Sequence, residues 1–192
     1  MPTLTIVAGA NGSGKTTFAV PYTARIGVQF LNADELAKGF AQRGEPNAML
    51  KGGREFFRLL NGALDRKEDV VIETTLSGTY TEKVRKRARR LGYRIEMVYI
   101  YLSDVRLCVE RVAHRVRKGG HDVPKDDIIR RYGRSIRHFA ENFAWSVDVW
   151  HLFYNGNDGF QLVAQSEWDE VEIVNPNLYA KFTEIWKTIP KE

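Results

Sequence analysis

The amino-acid sequence predicts an α/β fold in which helices cover both faces of a parallel sheet. Four apolar runs, at residues 3–8, 28–31, 69–73 and 95–102, alternate with segments whose apolar side chains recur at helical spacing. Strands that alternate with helices in this way form a parallel sheet through right-handed crossovers. The 192 residues, of which 43% are hydrophobic and 28% charged, suffice for one domain with its own core.

The first strand leads into a glycine-rich loop that predicts a phosphate site. Residues 9–16 have the Gly-x-x-x-x-Gly-Lys-Thr spacing of a P-loop, between a strand and a helix. In such a loop, backbone N–H groups and the helix dipole point at a bound phosphate. Lys15 is expected to reach the β and γ phosphates, and Thr16 a Mg²⁺ ion between them. The sequence therefore predicts the three-layer sandwich of the P-loop NTPases. The nucleotide-binding residues are expected to be consecutive: Gly9, Ala10, Asn11, Gly12, Ser13, Gly14, Lys15, Thr16 and Thr17.

Two helices are expected between the second and third strands. Asn32 or Asp34, directly after the second strand, can cap the first of them. The longer second helix has a weak point near its start, at Gly52 and Gly53. The third strand ends at Glu73, so the P-loop, Asp34 and Glu73 all follow carboxyl ends of strands. Ligands of open α/β sheets bind at that edge.

The last third of the chain predicts a lid and a hairpin. A helix that starts at Asp104 stops at a glycine-bearing turn over 119–124, and a second helix follows from Pro124. Arginines on both arms are typical of a movable lid, which we place at about 111–138. Apolar runs on either side of residues 155–159 predict a C-terminal β-hairpin, and a last helix closes the chain.

The net charge of +5 is concentrated in one segment. Residues 111–138 contain nine Lys or Arg against three Asp, so the rest of the chain is close to neutral. This distribution favours a local site for a polyanion over a general nucleic-acid coat. A second basic run, Lys83 to Arg90, is typical of a solvated helix face, with a nucleic-acid patch as the alternative.

The sequence favours a cytoplasmic protein. No run of eighteen apolar residues occurs, and the first residues lack the pattern of a secretory signal, so no membrane partner is expected. The single Cys108 cannot form an internal disulfide, and its position on a core-facing helix stripe predicts a small buried hydrophobe.

The motifs in this order resemble those of the zeta-toxin-like P-loop kinases. The resemblance covers residues 3–165 and is carried by the P-loop, Asn32-Ala33-Asp34, Ile72-Glu73-Thr74-Thr75 and the arginine-rich segment. It implies a single P-loop kinase-like domain over 1–192 with the sheet order 2-3-1-4-5. It also implies transfer of the γ-phosphoryl group of ATP or GTP, with Mg²⁺, to a hydroxyl of a small molecule. The toxins phosphorylate a UDP-activated amino sugar; whether this chain has an antitoxin protein as partner stays open.

The resemblance also implies roles for individual residues. Asp34 corresponds to the aspartate that takes the proton from the acceptor hydroxyl, and Glu73 to the glutamate near the substrate and the metal. Arg111 corresponds to the first lid arginine, with Arg115 close behind. The place of the second lid arginine falls near His121, so Arg131 or Arg134 is expected to substitute for it. The implied substrate-binding residues are Asp34, Glu73, Thr74, Thr75, Arg131 and Arg134. The implied catalytic residues are Lys15, Asp34, Arg111 and Arg115, and the implied metal ligands are Thr16 and Glu73.

Other interpretations stay open at this point. Asp34 can be a helix cap without chemistry, Glu73 can cap the turn after its strand, and the arginines can be a solvated face. Ser77 stands where the toxins have an arginine, which weakens the case for a UDP-sugar acceptor. A nucleic-acid end kinase or RNA-associated ATPase, and a non-catalytic nucleotide-sensing module, are the alternative functions.

Overall fold

The computed structural model describes residues 1–168 and 170–190. Strands and helices alternate as predicted as far as the fifth helix, and a π-helical turn over Phe139–Phe143 follows the sixth. The strands are β1 (Thr3–Ala8), β2 (Gln29–Leu31), β3 (Val70–Thr74), β4 (Arg94–Tyr101), β5 (Val149–Gly156), β6 (Gly159–Glu167) and β7 (Glu170–Ile173). The helices are α1 (Lys15–Ile26), α2 (Ala33–Gln42), α3 (Ala48–Arg66), α4 (Tyr80–Arg90), α5 (Val105–Arg117), α6 (Lys125–His138) and α7 (Pro176–Thr188).

The strands form one sheet with the order β2-β3-β1-β4-β5-β6-β7. The first five strands in this order are parallel, which confirms the predicted 2-3-1-4-5 arrangement, and β6 and β7 add to it in antiparallel pairing. The predicted hairpin is β5–β6, and β7 is an additional edge strand that the sequence analysis did not predict. Because the parallel strands share a direction, the loops after β1, β2 and β3 meet at one edge of the sheet.

The two faces of the sheet are covered unequally. The larger cluster of buried side chains includes Phe56 of α3, Val112 of α5 and Phe182 of α7, so most helices pack on one face. On the other face, among the described residues, helical side chains of the smaller cluster come from α1 alone, chiefly Ala19 and Phe18. α1 therefore forms the thin helical layer on this face, and the glycine-rich loop of residues 9–16 leads into it.

The glycine pair in α3 is not a weak point. α3 is continuous from Ala48 to Arg66, and Gly52 is buried against α2. A Cβ atom at Gly52 would lie 2.5 Å from the backbone nitrogen of Ala37, whereas one at Gly53 would meet nothing within 4 Å. Gly52 thus allows close packing of the two helices, which corrects the expectation.

No helix within residues 1–168 and 170–190 combines the length and the apolar character that a bilayer crossing requires.

Candidate active site

The loop between β1 and α1 curls because three of its glycines have positive φ. Gly9, Gly12 and Gly14 have φ values of 146°, 80° and 100°. A Cβ atom at Gly9 would lie 2.2 Å from the carbonyl oxygen of Ile100, and one at Gly12 would lie 2.6 Å from that of Cys108. The loop is therefore pressed against β4 and α5, and a side chain at either position would displace backbone.

Lys15 lies buried inside this loop. Its Nζ donates a hydrogen bond to the carbonyl oxygen of Ala10 at 3.0 Å and lies 3.8 Å from Glu73 Oε1. Burial lowers the pKa of Lys15, and the carboxylate of Glu73 acts against that shift. Asn11 Oδ1 and the Ser13 hydroxyl are buried without a hydrogen-bond partner among the described residues. The buried cation of Lys15 and the N-terminus of α1 line the same cavity, and together they fit a polyphosphate.

Glu73 connects the loop to the strand beside it. Its Oε2 accepts hydrogen bonds from Thr16 Oγ1 at 2.8 Å and from Asn32 Nδ2 at 2.9 Å. The turn after β3 is capped instead by Thr74, whose Oγ1 accepts from the backbone N–H of Leu76 at 3.0 Å. The alternative of Glu73 as a turn cap is therefore wrong.

A hydroxyl and a carboxylate oxygen at adjacent positions suit Mg²⁺, which prefers hard oxygen ligands. Within residues 1–168 and 170–190, no three His, Cys, Asp or Glu side chains are grouped so that they could hold a metal. Mg²⁺ accordingly fits Thr16 and Glu73 as an ion completed by phosphate oxygens, the mode common in nucleotide sites.

Asn32, and not Asp34, caps α2. Asn32 Oδ1 accepts hydrogen bonds from the backbone N–H of Asp34 at 2.8 Å and of Glu35 at 3.3 Å. The carboxylate of Asp34 is exposed and makes no hydrogen bond or ion pair with any described residue. It lines the same cavity as Lys15 and Thr16, and its charge acts on Lys15. The local structure therefore leaves this carboxylate available for chemistry.

Twelve of the predicted site residues surround one cavity of about 820 Å³ at the carboxyl edge of the sheet, and the loop residues Gly9, Ala10 and Ser13 do not line it. The residues of the predicted site that line it are Asn11, Gly12, Gly14, Lys15, Thr16, Thr17, Asp34, Glu73, Thr74, Thr75, Arg111 and Arg115. Twelve further residues line the cavity without having been predicted as site residues: Asn32, Ala33, Glu35, Lys38, Tyr80, Val112, His114, Lys118, Gly119, Gly120, His121 and Asn155. His114 and Lys118 share the helical face of the two lid arginines, so their spacing could have revealed them. Asn155 reaches the cavity from the hairpin, which no local pattern indicated.

The two arginines of α5 are held by backbone carbonyls. One Arg111 nitrogen donates to the carbonyl oxygen of Asn155 at 3.1 Å, and one Arg115 nitrogen donates to that of His121 at 2.9 Å. Both side chains line the cavity, so a bound phosphate would lie beside two fixed guanidinium groups.

Arg131 and Arg134 are not brought to the cavity. Both lie on α6, where Arg131 pairs with Asp127 at 3.2 Å. The inner face of α6 belongs to the core, and Tyr132 of that face donates to the carbonyl oxygen of Leu102 at 2.8 Å. Their role in substrate binding stays a prediction, and we leave them out of the proposed site.

The basic helix α4 is tied to the body of the protein. Arg85 and Arg89 both donate to the carbonyl oxygen of Ser146, and Arg89 also pairs with the buried Asp148. Arg85 and Arg89 therefore attach α4 to the segment before β5. The basic side chains of α4, which the sequence predicts to be solvated, thus include two that make structural contacts.

Comparison with known families agrees with this site. A family model described as an AAA domain matches residues 4–134. The chain belongs to the AAA domain family. The match contains the P-loop, Asp34, Glu73 and both arginines of α5, and it ends before the hairpin of this AAA domain protein.

Two solved structures illustrate the fold that this chain shares. The crystal structure of AvrRxo1-ORF1:AvrRxo1-ORF2 with ATP aligns with a TM-score of 0.77 and 19% identity, over 100% of this chain and 66% of that chain. The PezAT toxin–antitoxin system of Streptococcus pneumoniae aligns with a TM-score of 0.65 and 14% identity, over 100% of this chain and 81% of that chain. This AAA domain protein thus spans about two thirds of the AvrRxo1 chain that it matches.

A curated relative is an uncharacterized protein of Haemophilus influenzae. It is 27% identical over 124 residues, which are 65% of this chain and 88% of the relative. Together, the family match and the structural alignments confirm the predicted resemblance to zeta-toxin-like P-loop kinases as a shared fold. At 14–19% identity these alignments show the fold, and the reaction is argued below from the residues of the site.

Proposed function

We propose that this AAA domain protein transfers the γ-phosphoryl group of ATP or GTP, with Mg²⁺, to a hydroxyl group of a small molecule. One observation carries the proposal: the unpaired carboxylate of Asp34 lines the cavity that also holds Lys15 and the Thr16–Glu73 pair. A purely binding site needs no free carboxylate there, whereas transfer of the γ-phosphoryl group uses a proton acceptor for the attacking hydroxyl. Water can use the same base, and the assay below distinguishes an alcohol acceptor from water.

The residues of the cavity have different roles in the proposed phosphoryl transfer. The acceptor oxygen forms a bond to the γ-phosphorus, the bond from that phosphorus to the bridging oxygen of the diphosphate breaks, and the hydroxyl proton moves to Asp34. Lys15 and the arginines Arg111 and Arg115 offset the negative charge on the transferring group. Thr16 and Glu73 would hold Mg²⁺, which when bound would supply further neutralisation of the phosphate charge.

The γ-phosphoryl transfer can be tested directly. The full chain is incubated with γ-labelled ATP or GTP, Mg²⁺ and a fractionated metabolite extract, and labelled products are separated by chromatography. We expect label in an organic phosphate, loss of that product with Lys15→Ala, and retention with Asn157→Ala, a control at an exposed position outside the cavity. Label that appears only in inorganic phosphate, at the same rate with and without extract, would contradict the proposal and indicate a hydrolase.

A protein partner is a further part of the proposal. The descriptions of both structural neighbours name two components, AvrRxo1-ORF1 with AvrRxo1-ORF2 and the PezAT toxin–antitoxin system. Reduced growth on expression of the chain, abolished by Asp34→Asn, would support a toxin role that an antitoxin protein must restrain. Normal growth at high expression would argue against it.

A further inference from the structure

The tip of the β5–β6 hairpin touches the phosphate loop. Asn155, the penultimate residue of β5, donates through Nδ2 to the carbonyl oxygen of Ser13 at 2.8 Å. A Cβ atom at Gly14 would lie 2.3 Å from the same Nδ2. The amide of Asn155 therefore lies directly on the backbone of the loop that is proposed to hold the triphosphate.

The same residue also holds Arg111. The carbonyl oxygens of Asn155 and Gly156 accept hydrogen bonds from one Arg111 nitrogen, at 3.1 Å and 3.5 Å. A guanidinium group has five N–H donors in a rigid fork, so fixing one nitrogen fixes the direction of the rest. The other Arg111 donors make no hydrogen bond with any described residue, and the side chain lines the cavity.

The hairpin is anchored well enough to act as a support. Asn155 pairs across the hairpin with Phe160, whose ring packs edge-on against Phe18 of α1 at 5.6 Å between centroids. The pairing of β5 with β6 skips Val163, a bulge that bends the hairpin before its tip. The carbonyl oxygen of Val163 accepts from the N–H groups of Val174 and Asn175, which fixes the bulge to the segment before α7.

We propose that Asn155 is a positioning residue of the nucleotide site, which sets the phosphate loop at Ser13 and the lid arginine Arg111 together. Its side chain fixes the loop, and its backbone carbonyl directs the guanidinium of Arg111 at the γ-phosphate position. The inference rests on the proposed function for the binding of a nucleoside triphosphate, and it adds a residue that lies beyond the family match.

The test is a double-mutant cycle on nucleotide binding. Calorimetry measures the dissociation constant of Mg-ATP, or Mg-GTP if the unmodified chain prefers it, for Asn155→Ala, Arg111→Ala and the double variant. Asn155→Ala removes one hydrogen bond and is therefore expected to raise the dissociation constant of the nucleotide roughly 2- to 12-fold. Asn157→Ala, at the exposed tip of the same hairpin, is the control and is expected to bind like the unmodified chain.

The coupling between the two sites distinguishes positioning from a local structural role. Asn155→Ala keeps the carbonyl that Arg111 binds and removes the Nδ2 bond that holds the hairpin tip on Ser13. If that bond positions the carbonyl, and through it Arg111, the substitution weakens binding by a factor at least about 2 smaller in the Arg111→Ala chain than in the chain with Arg111. Equal factors in both chains, or no difference between Asn155→Ala and Asn157→Ala, would overturn the inference. Should Asn155→Ala fail to fold in thermal unfolding, Asn155→Leu is used, because it keeps a branched side chain of similar size and removes the N–H donor without adding a charge beside the phosphate loop.

This readout separates the inference from the proposed function. Binding needs no acceptor, so a chain that binds Mg-ATP with the expected coupling but transfers no phosphate contradicts only the proposed function. A chain that transfers phosphate without the coupling contradicts only the role of Asn155. Absence of nucleotide binding by the unmodified chain would overturn both.

Discussion

The substitution Asp34→Asn tests the proposed chemistry without disturbing the fold. The cap of α2 is made by Asn32, which bonds the backbone N–H of residue 34 and not its side chain. The Asp34 carboxylate is exposed and has no partner among the described residues. The free energy of unfolding is therefore expected to change by less than about 0.5 kcal/mol. For a chain of this length, that is a shift in Tm of about 1–2 °C.

The effect of Asp34→Asn on transfer is expected to be far larger. Removing a general base lowers the rate about 10²- to 10⁴-fold, which corresponds to about 2.7–5.5 kcal/mol in the activation barrier. Single-turnover transfer of labelled phosphate to the identified acceptor measures the rate, and calorimetry with Mg-ATP measures binding. Nucleotide binding is expected to be retained because Lys15 and the Thr16–Glu73 pair are intact.

The matched control for Asp34→Asn is Glu35→Gln. Glu35 is the next residue of α2, is also exposed, lines the same cavity, and has its N–H bound by the same Asn32 oxygen. Its transfer rate is expected to stay within about 2-fold of the unmodified chain. Equal rates for Asp34→Asn and the unmodified chain would refute the assignment of the base. A loss of Tm of several degrees would show that Asp34 has a structural role instead.

Three further predictions concern the metal, the helix contact and the buried thiol. Glu73→Gln is expected to raise the Mg²⁺ concentration needed for half-maximal nucleotide binding about 10- to 100-fold, and an unchanged Mg²⁺ titration would contradict the metal assignment. Gly52→Ala is expected to lower the free energy of unfolding by about 1–3 kcal/mol, because its Cβ atom would collide with α2. Gly53→Ala is expected to raise the free energy of unfolding by about 0.5–1 kcal/mol, because its Cβ atom meets open space. Urea unfolding measures both, and equal effects would contradict the α2–α3 contact. Burial raises the pKa of Cys108 to about 12, so little of the reactive thiolate is present at pH 8. Iodoacetamide is therefore expected to modify only the urea-unfolded chain. Rapid modification of the native chain would disprove the burial.

The phosphate site could be predicted because it requires particular residue types at fixed spacings. Positive φ at Gly12 and Gly14 restricts those positions to glycine, so the loop is visible in the sequence. Asp34 and Glu73 could be placed together because parallel strands end at the same edge of the sheet. The choice between Asn32 and Asp34 as the cap could not be made, because both residue types cap helices equally well.

The rest of the site depends on tertiary geometry. Helical periodicity shows that α6 has an arginine-bearing face, but not that its other face, with Ile128 and Ile136, packs into the core. Arg131 was therefore assigned to a cavity that it does not line. Asn155 could not be found at all, because its contact with the loop depends on the bulge and on the angle of the hairpin.

The hydrogen bond between Asn155 and Ser13 joins residues that are 142 positions apart. A ribosome that adds about 5–20 residues per second makes Ser13 on the order of ten seconds before Asn155. During that interval the nascent chain has its glycine-rich turn but not the strand pair that presses on it. The glycine-rich turn is therefore synthesised long before the contact that fixes it, and the loop reaches the arrangement described above only after the β5–β6 hairpin has been made.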